Sequence, residues 1–77
     1  MPHLGVVDKK LIATNIGAAL KKLRNDKNLS MQQLATLAEI EKSQIYRIEN
    51  GKVDLRISTL YLLADTLKVD VTDFFNP

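Results

Sequence analysis

Apolar residues recur every three or four positions along most of the chain, which is the spacing of amphipathic helices. The first helix, predicted over about residues 9–26, has an apolar stripe of Ile12, Ile16, Leu20 and Leu23. The second, predicted over about residues 31–38, has a stripe of Met31, Leu34, Leu37 and Ala38. Ser30 precedes this second helix and Gln33 follows three residues later, a spacing that predicts a capping box.

The same spacing continues through the second half of the chain. A third helix is predicted over about residues 42–50, with Ile45 and Ile48 on its inner side and Gly51 as a left-handed terminator. Ser58 or Thr59 is expected to cap a fourth helix, whose apolar stripe is Leu60, Leu63, Ala64 and Leu67. A last short helix begins at Asp70 and Asp73, with an apolar face of Val71, Phe74 and Phe75. Because no strand pattern interrupts the series, the sequence predicts an all-α fold of five short helices.

A chain of 77 residues is expected to form one small domain. It has no cysteine and a single histidine, so apolar burial must stabilise it without a disulfide or a zinc cluster. Residues 1–8 show no periodicity and are expected to form a loose arm in which His3 is exposed. The predicted organisation is therefore an arm and the start of the first helix over residues 1–13, followed by one domain over residues 14–77.

Charge is distributed unevenly along the chain. Residues 1–29 contain six Lys or Arg and two Asp, whereas residues 53–77 contain two basic and four acidic residues. Such asymmetry suits one-sided binding to a polyanion, but it also arises by chance on a solvated surface, and charge alone leaves both interpretations open. No apolar run has the length of a transmembrane span and no signal peptide is evident, so a cytoplasmic protein without membrane contact is expected.

Catalytic chemistry finds little support in the sequence. A nucleophile needs a positioned base, and the only histidine lies in the arm. The carboxylates form no convincing pair, and there is no glycine-rich phosphate loop. We therefore expect no enzymatic activity, no cofactor and no metal.

The second and third helices, joined by a turn of three or four residues within "EIEK", have the arrangement of a helix-turn-helix. The second helix of such a pair fits the DNA major groove, which is about 12 Å wide. Its outer row is polar, with Lys42, Ser43, Tyr46 and Arg47. A solvated helix face is the alternative explanation for that row.

The stretches "LSMQQLATLAEIEKSQIYRIENG" and "ISTLYLLADTLKVDVTDFF" resemble the XRE family of phage Cro and repressor proteins. The resemblance extends from about Ile16 to Phe75. Its most specific parts are "LA" at Leu34, "RIENG" from Arg47, and "LADTLKV" from Leu63. It implies a lambda-repressor-like, DNA-binding domain.

The resemblance also implies roles for individual residues. Base contacts are expected from Lys42, Ser43, Gln44, Tyr46 and Arg47, and phosphate contacts from Ser30, Met31, Gln32, Asn50 and Lys52. Arg24 and Glu49 match a buried ion pair between the first and third helices. Dimer contacts are expected from Leu55, Arg56, Ile57, Val71, Phe74 and Phe75.

Four positions depart from the family pattern. Met31 replaces a glutamine that contacts phosphate, and Glu39 replaces a glycine in the turn, where a left-handed backbone would be strained. Glu41 occupies the usual small N-cap position, and Leu55 replaces a proline. These departures bear on the contacts and the affinity rather than on the fold.

The expected function is transcriptional regulation by a homodimer bound to a palindrome in double-stranded DNA, associated with the nucleoid when bound. Repression is favoured over activation because no separate effector domain is evident in the sequence. Two alternatives use the same fold. One is an antitoxin or other protein-interaction module, with residues 1–13 as the candidate partner segment, and the other is a controller protein of a restriction–modification system.

Overall fold

The computed structural model describes residues 8–53 and 55–75. They form four α-helices, α1 (Lys9–Asp26), α2 (Met31–Ala38), α3 (Lys42–Glu49) and α4 (Ile57–Leu67), followed by a 3₁₀ helix (Val71–Phe74). No strand occurs within these two ranges, and none of their helices is long and apolar enough to cross a bilayer. The all-α fold and the bounds of the first two helices are as predicted, and the arm with His3 lies mostly outside the described residues.

The last predicted helix is a single 3₁₀ turn rather than a fifth α-helix. Its backbone bonds join Asp73 to Asp70 and Phe75 to Thr72, both spanning three residues and both 2.9 Å long. A segment of four residues is too short for a run of α-helical bonds, each of which joins an amide to the carbonyl four residues earlier. Such short segments commonly adopt a 3₁₀ turn.

The helices enclose one apolar core. α1 packs on α3, α2 packs on both α3 and α4, and the 3₁₀ helix closes the core against α1 and α4. The buried apolar residues are Ala19, Leu20, Leu34, Ala35, Ala38, Ile45, Ile48, Leu60, Leu63, Ala64, Leu67 and Phe74. The predicted stripe of α4 is entirely among them. Burial of these side chains is the main source of stability in a chain that has no cysteine.

Leu37 was wrongly predicted to belong to the inner stripe of α2, because it is 59% exposed. The inward face of this helix consists of Leu34, Ala35 and Ala38. With these three residues on the core side of α2, Leu37 lies on the side that faces solvent.

The four α-helices end in the same way, with one residue in the left-handed region. These residues are Asn28, Glu39, Gly51 and Lys68, with φ between 57° and 66°. In each case the next amide donates to the carbonyl five positions earlier, as Ile40 does to Ala35 at 3.0 Å and Lys52 to Arg47 at 2.9 Å. This is the 6→1 bond of a Schellman motif. Gly51 therefore has its predicted role, and Glu39 adopts the strained conformation anticipated for it.

Helix starts are capped by side chains at three of the five elements. Ser30 accepts from the Gln33 amide at 3.0 Å while the Gln33 side chain accepts from the Ser30 amide at 2.7 Å, which confirms the predicted capping box. Asp8 caps α1, and Asp70 caps the 3₁₀ helix. Hydrogen bonds from Thr72 lower the pKa of Asp70, because they stabilise its carboxylate.

α4 begins earlier than predicted. Its N-cap is Arg56, which makes no side-chain cap bond, and not Ser58 or Thr59. The Leu60 amide already donates to the Arg56 carbonyl at 3.0 Å, so helical hydrogen bonding starts there and both hydroxyl residues lie inside the first turn.

Candidate nucleic-acid interface

α2 and α3 are joined by the three residues Glu39, Ile40 and Glu41. The left-handed Glu39 reverses the chain, and the Ile40 side chain packs against the core beneath the turn. Fully buried Ala35 belongs to the tightly packed interior beside the turn. The pair therefore forms a rigid two-helix unit in which α3 is held by its inner face.

The two faces of α3 differ in chemistry. Ile45 and Ile48 are buried in the core. Lys42, Ser43 and Arg47 are exposed, Tyr46 is 49% exposed, and Gln44 is partly buried. None of these polar side chains takes part in an ion pair within the described part of the chain. The outer face thus presents hydrogen-bonding groups that are available to a ligand.

Arg24 ties α1 to both ends of the two-helix unit. Its Nε and Nη2 donate to the two carboxylate oxygens of Glu49 at 2.6 and 3.0 Å, and its Nη1 donates to the Leu29 carbonyl at 2.7 Å. Both charged side chains are buried. The hydrogen bond with Glu49 raises the pKa of Arg24, although burial opposes the increase. One guanidinium thereby fixes the C-terminal end of α3 and the segment that leads into α2.

Gly17 lets α1 and α3 approach at the same end. A Cβ atom built there would overlap the Ile48 carbonyl oxygen and lie 2.8 Å from the Glu49 carbonyl oxygen. Sequence reasoning did not identify this residue as functionally relevant. The available signal was a glycine inside an otherwise helical pattern, which commonly has a packing reason.

The segment after α3 folds back along it. The Asn50 side-chain amide donates to the Tyr46 carbonyl at 2.7 Å. Lys52 extends over the Tyr46 ring, with Nζ 6.0 Å from the ring centroid, which is the outer limit of a cation–π contact. Asn50 and Lys52 are both exposed. Polar groups therefore continue beyond the C-terminal end of α3 on the same side of the molecule.

The start of α2 provides a second polar patch. Ser30 and Gln32 are exposed, and the Gln32 side-chain amide donates to the Thr36 hydroxyl at 3.2 Å. The Met31 side chain is partly buried and packs against the core. A contact from Met31 to an anion would therefore use its backbone amide, one of the groups that a helix start leaves without an intrahelical partner.

The expected dimer residues differ in accessibility. Ile57 is 70% exposed and Phe75 is 56% exposed, and Arg56 is also exposed. Leu55 and Val71 are partly buried. Phe74 is corrected: it is only 1% exposed because its ring fills the core of its own subunit, so it has almost no surface to offer a partner.

Tyr61 was not anticipated at this surface. It lies one turn after Ile57 on α4 and is largely exposed. Side chains four residues apart share a helix face, so Ile57 and Tyr61 form an apolar strip. The i, i+4 spacing was the available signal, hidden by the stronger stripe on the opposite face.

No cluster of potential metal ligands occurs among the described residues. The outer face of α3 offers hydrogen bonding and positive charge from the side chains described above.

Comparison with known proteins identifies the family. Residues 20–74 match the family model HTH_3, described as helix-turn-helix. The chain belongs to this helix-turn-helix family, in agreement with the resemblance seen in the sequence.

Three relatives are similar to the chain in sequence. The chain is 34% identical to an HTH-type transcriptional regulatory protein of Methanothermobacter thermautotrophicus, covering 73% of this chain and 18% of the relative. It is 38% identical to the HTH-type transcriptional repressor RghR of Bacillus subtilis, covering 71% of this chain and 42% of the relative. It is 32% identical to the control protein C.SmaI of Serratia marcescens, covering 82% of this chain and 70% of the relative. The chain thus spans less than half of the first two relatives and most of the third.

Solved structures give the same result. An HTH_3 family transcriptional regulator from Vibrio cholerae superposes with a TM-score of 0.85 at 29% identity, covering 90% of this chain and 39% of that one. The restriction–modification controller C.AhdI from Aeromonas hydrophila superposes with a TM-score of 0.79 at 27% identity, covering 82% of this chain and 96% of that one. The C.Esp1396I controller tetramer was solved in complex with its natural 35 base-pair operator. Its chain superposes with a TM-score of 0.76 at 26% identity, covering 84% of this chain and 86% of that one.

Proposed function

We propose that this chain is a sequence-specific, double-stranded DNA-binding transcriptional regulator that inserts α3 into the major groove. The observation that carries the proposal is the division of α3 into a buried side, Ile45 and Ile48, and an exposed polar side. A solvated helix face would have the same composition. The match to the helix-turn-helix family favours the DNA-binding interpretation.

On this proposal, sequence is read from α3. Lys42 and Ser43 occupy its first turn, the part that enters the groove most deeply in helix-turn-helix proteins. Arg47 is suited to paired hydrogen bonds with guanine. Tyr46 lies between Arg47 and Lys52 on the exposed side, and partly buried Gln44 lies at the edge of the reading surface.

Phosphate contacts would flank the base contacts on both sides. Ser30, Met31 and Gln32 lie at the start of α2, where exposed amides and the helix dipole favour an anion. Asn50 and Lys52 lie beyond the other end of the reading helix. Contacts of this kind fix the register of the protein on the duplex without reading its sequence.

A homodimer is the proposed binding unit, because one short helix contacts too few base pairs to be selective. Its interface would centre on exposed Ile57 and Tyr61 of α4, with Leu55, Arg56, Val71 and Phe75 around them. Two such subunits would present their α3 helices about 34 Å apart on a palindrome. The lambda-repressor-like architecture is then one domain over residues 14–77, working in the cytoplasm without a cofactor.

Repression is the proposed outcome of binding. RghR, which shares 38% identity with the chain, is a transcriptional repressor. A bound dimer would act by blocking access of polymerase to the promoter.

A controller protein of a restriction–modification system is the second candidate. Similarity to controller proteins supports it: the chain is 32% identical to C.SmaI and 27% identical to C.AhdI, over 70% and 96% of those proteins. Adjacent restriction and methylation genes would favour this role, whereas an adjacent small toxin gene would favour an antitoxin. The candidate partner segment of an antitoxin, residues 1–13, lies mostly outside the described residues.

Selection from random duplexes with the purified protein tests the proposal. We expect enrichment of an inverted repeat whose half-sites are about 10 base pairs apart. Recovery of a single, asymmetric half-site would contradict the dimer. Failure to enrich any sequence would contradict sequence-specific DNA binding altogether.

A further inference from the structure

A cleft of about 330 Å³ lies between the first turns of α1 and the segment after α3. Three lysines, Lys9, Lys10 and Lys52, line it together with Ala13, Gly51 and Val53. All three lysines are exposed, and neither ion pair of the described residues includes them. The cleft is thus a concentrated positive charge without an acidic partner in the described part of the protein.

Gly51 approaches α1 closely beside the cleft. A Cβ atom built on Gly51 would lie 3.0 Å from the Thr14 hydroxyl oxygen and 3.1 Å from the Thr14 Cα. Lys10 lies one helical turn before Thr14 and therefore on the same face of α1. Lys52 follows Gly51 directly. The close approach of Gly51 to α1 therefore brings lysines separated by more than 40 positions in sequence to a single cleft.

The acidic residue that precedes Lys9 in sequence is the N-cap of α1. Asp8 accepts from the Leu11 amide at 3.0 Å. The residues that line the cleft include three lysines and no acid, so an anion there would be bound by lysine side chains. Lysines are flexible point charges with three donors each, which suits a phosphate group approached from several directions.

The cleft also adjoins the reading helix. Lys52 lines the cleft and at the same time extends over the ring of Tyr46 on the outer side of α3. A duplex held against α3 would therefore bring its backbone past the mouth of the cleft.

We propose that Lys9, Lys10 and Lys52 together bind a backbone phosphate of the duplex, extending the DNA contact surface onto the first turn of α1. This inference rests on the proposed DNA binding and adds a contact outside the helix-turn-helix. The ligand is a phosphodiester, so the contribution is independent of sequence.

The test is the salt dependence of DNA binding by the double variant K9Q/K10Q. Glutamine keeps the helix propensity and removes only the charge. Each phosphate contact contributes about 0.9 to the slope of log affinity against log salt. The double variant keeps Lys52 and so weakens at most one phosphate contact in each half-site. The slope of a dimer should therefore be shallower, by up to about 2, equally on the selected site and on a random duplex. Lys68→Gln is the control for loss of a lysine charge elsewhere, because Lys68 ends α4 and does not line the cleft, and its slope should equal that of the wild type.

The other possible results separate the phosphate contact from the proposed function. A double variant that folds normally by circular dichroism and keeps the full wild-type slope would refute the phosphate contact at the cleft. The proposed function would remain intact as long as the wild-type protein binds the selected site. An effect confined to the selected site would also refute a phosphate contact. If inorganic phosphate weakens wild-type binding more than chloride at equal ionic strength, and the double variant loses this difference, the free anion and the duplex compete for the same lysines, which supports the proposal. Absence of wild-type binding to any duplex would overturn the proposed function itself.

Discussion

Gly17 of α1 faces the backbone carbonyl of Ile48 in α3 so closely that no side chain fits between them. Ile48 is one of the two isoleucines that bind α3 to the core, and the following residue, Glu49, holds Arg24. The distance between α1 and α3 is therefore set at the end of α3 that the Arg24–Glu49 ion pair also holds.

Gly17→Ala should destabilise the fold. Alanine in a helix is ordinarily favoured over glycine by about 1 kcal/mol. Here the added methyl group meets two carbonyl oxygens of rigid backbone, and overpacking of this kind costs about 1–3 kcal/mol. Urea unfolding should show a lower free energy of unfolding than the wild type. Ala18→Leu, a larger change at the exposed neighbouring position, is the control and should be nearly neutral; a stabilised Gly17→Ala would contradict the close packing.

Loss of either partner in the Arg24–Glu49 pair should cost about 3–5 kcal/mol, because the other charge stays buried without compensation. Arg24→Gln also removes a donor to the Leu29 carbonyl, whereas Glu49→Gln does not. The double variant R24M/E49L should recover much of the loss, since apolar replacement of a buried pair is often neutral. Chemical denaturation of the three variants measures this. Single variants within about 0.5 kcal/mol of the wild type would show that the pair behaves as an exposed one.

Glu39→Gly should stabilise the protein. Glu39 is in the left-handed region with φ of 59°, which costs a non-glycine residue roughly 1–2 kcal/mol, and glycine removes that strain. The greater freedom of glycine in the unfolded chain offsets part of the gain, so we expect about 0.5–1 kcal/mol net. Glu39→Gln separates backbone from charge: it removes the carboxylate, keeps the strain and should leave the midpoint of thermal unfolding close to that of the wild type. Equal stabilisation by both variants would attribute the effect to charge.

Arg47→Ala and Lys52→Ala should alter DNA binding in different ways. Removing Arg47 should relax the preference at one base position, with about 1–3 kcal/mol of discrimination lost there. Removing Lys52 should weaken binding to all duplexes alike and make the salt slope shallower by about 1 per contact. Titrations of both variants against the selected site and single-base variants of it measure the difference. Parallel losses on every duplex for both variants would remove the distinction between reading and positioning residues.

Local pattern was sufficient for most of the fold. The stripe of α4 and the capping box at Ser30 depend on residues three or four positions apart, and both are present as predicted. Failures occurred where the answer depends on distant contacts. Leu37 has the right spacing for the core, but the packing of α2 through its alanines turns it outward. Phe74 and Phe75 are adjacent in sequence, and only the position of the 3₁₀ helix decides which one is buried.

In the candidate site, too, features set by local spacing were predictable and features set by distant contacts were not. The polar row of α3 is visible in the sequence because it alternates with Ile45 and Ile48 at helical spacing. The lysine cleft is not visible, because Lys10 and Lys52 are far apart in sequence and line one cleft only where Gly51 lies close to Thr14. Gly17 was missed for the same reason, since its importance lies in a carbonyl of another helix.

Arg24 reaches the end of α3 and the carbonyl of Leu29 just before α2 with a single side chain. Heat that loosens α1 would therefore release the end of α3 and the segment before α2 together. On the proposed function, DNA binding and the fold should then be lost at the same temperature. A screen for temperature-sensitive alleles should accordingly return changes at Arg24 and Glu49, outside the proposed DNA contacts, alongside changes in α3.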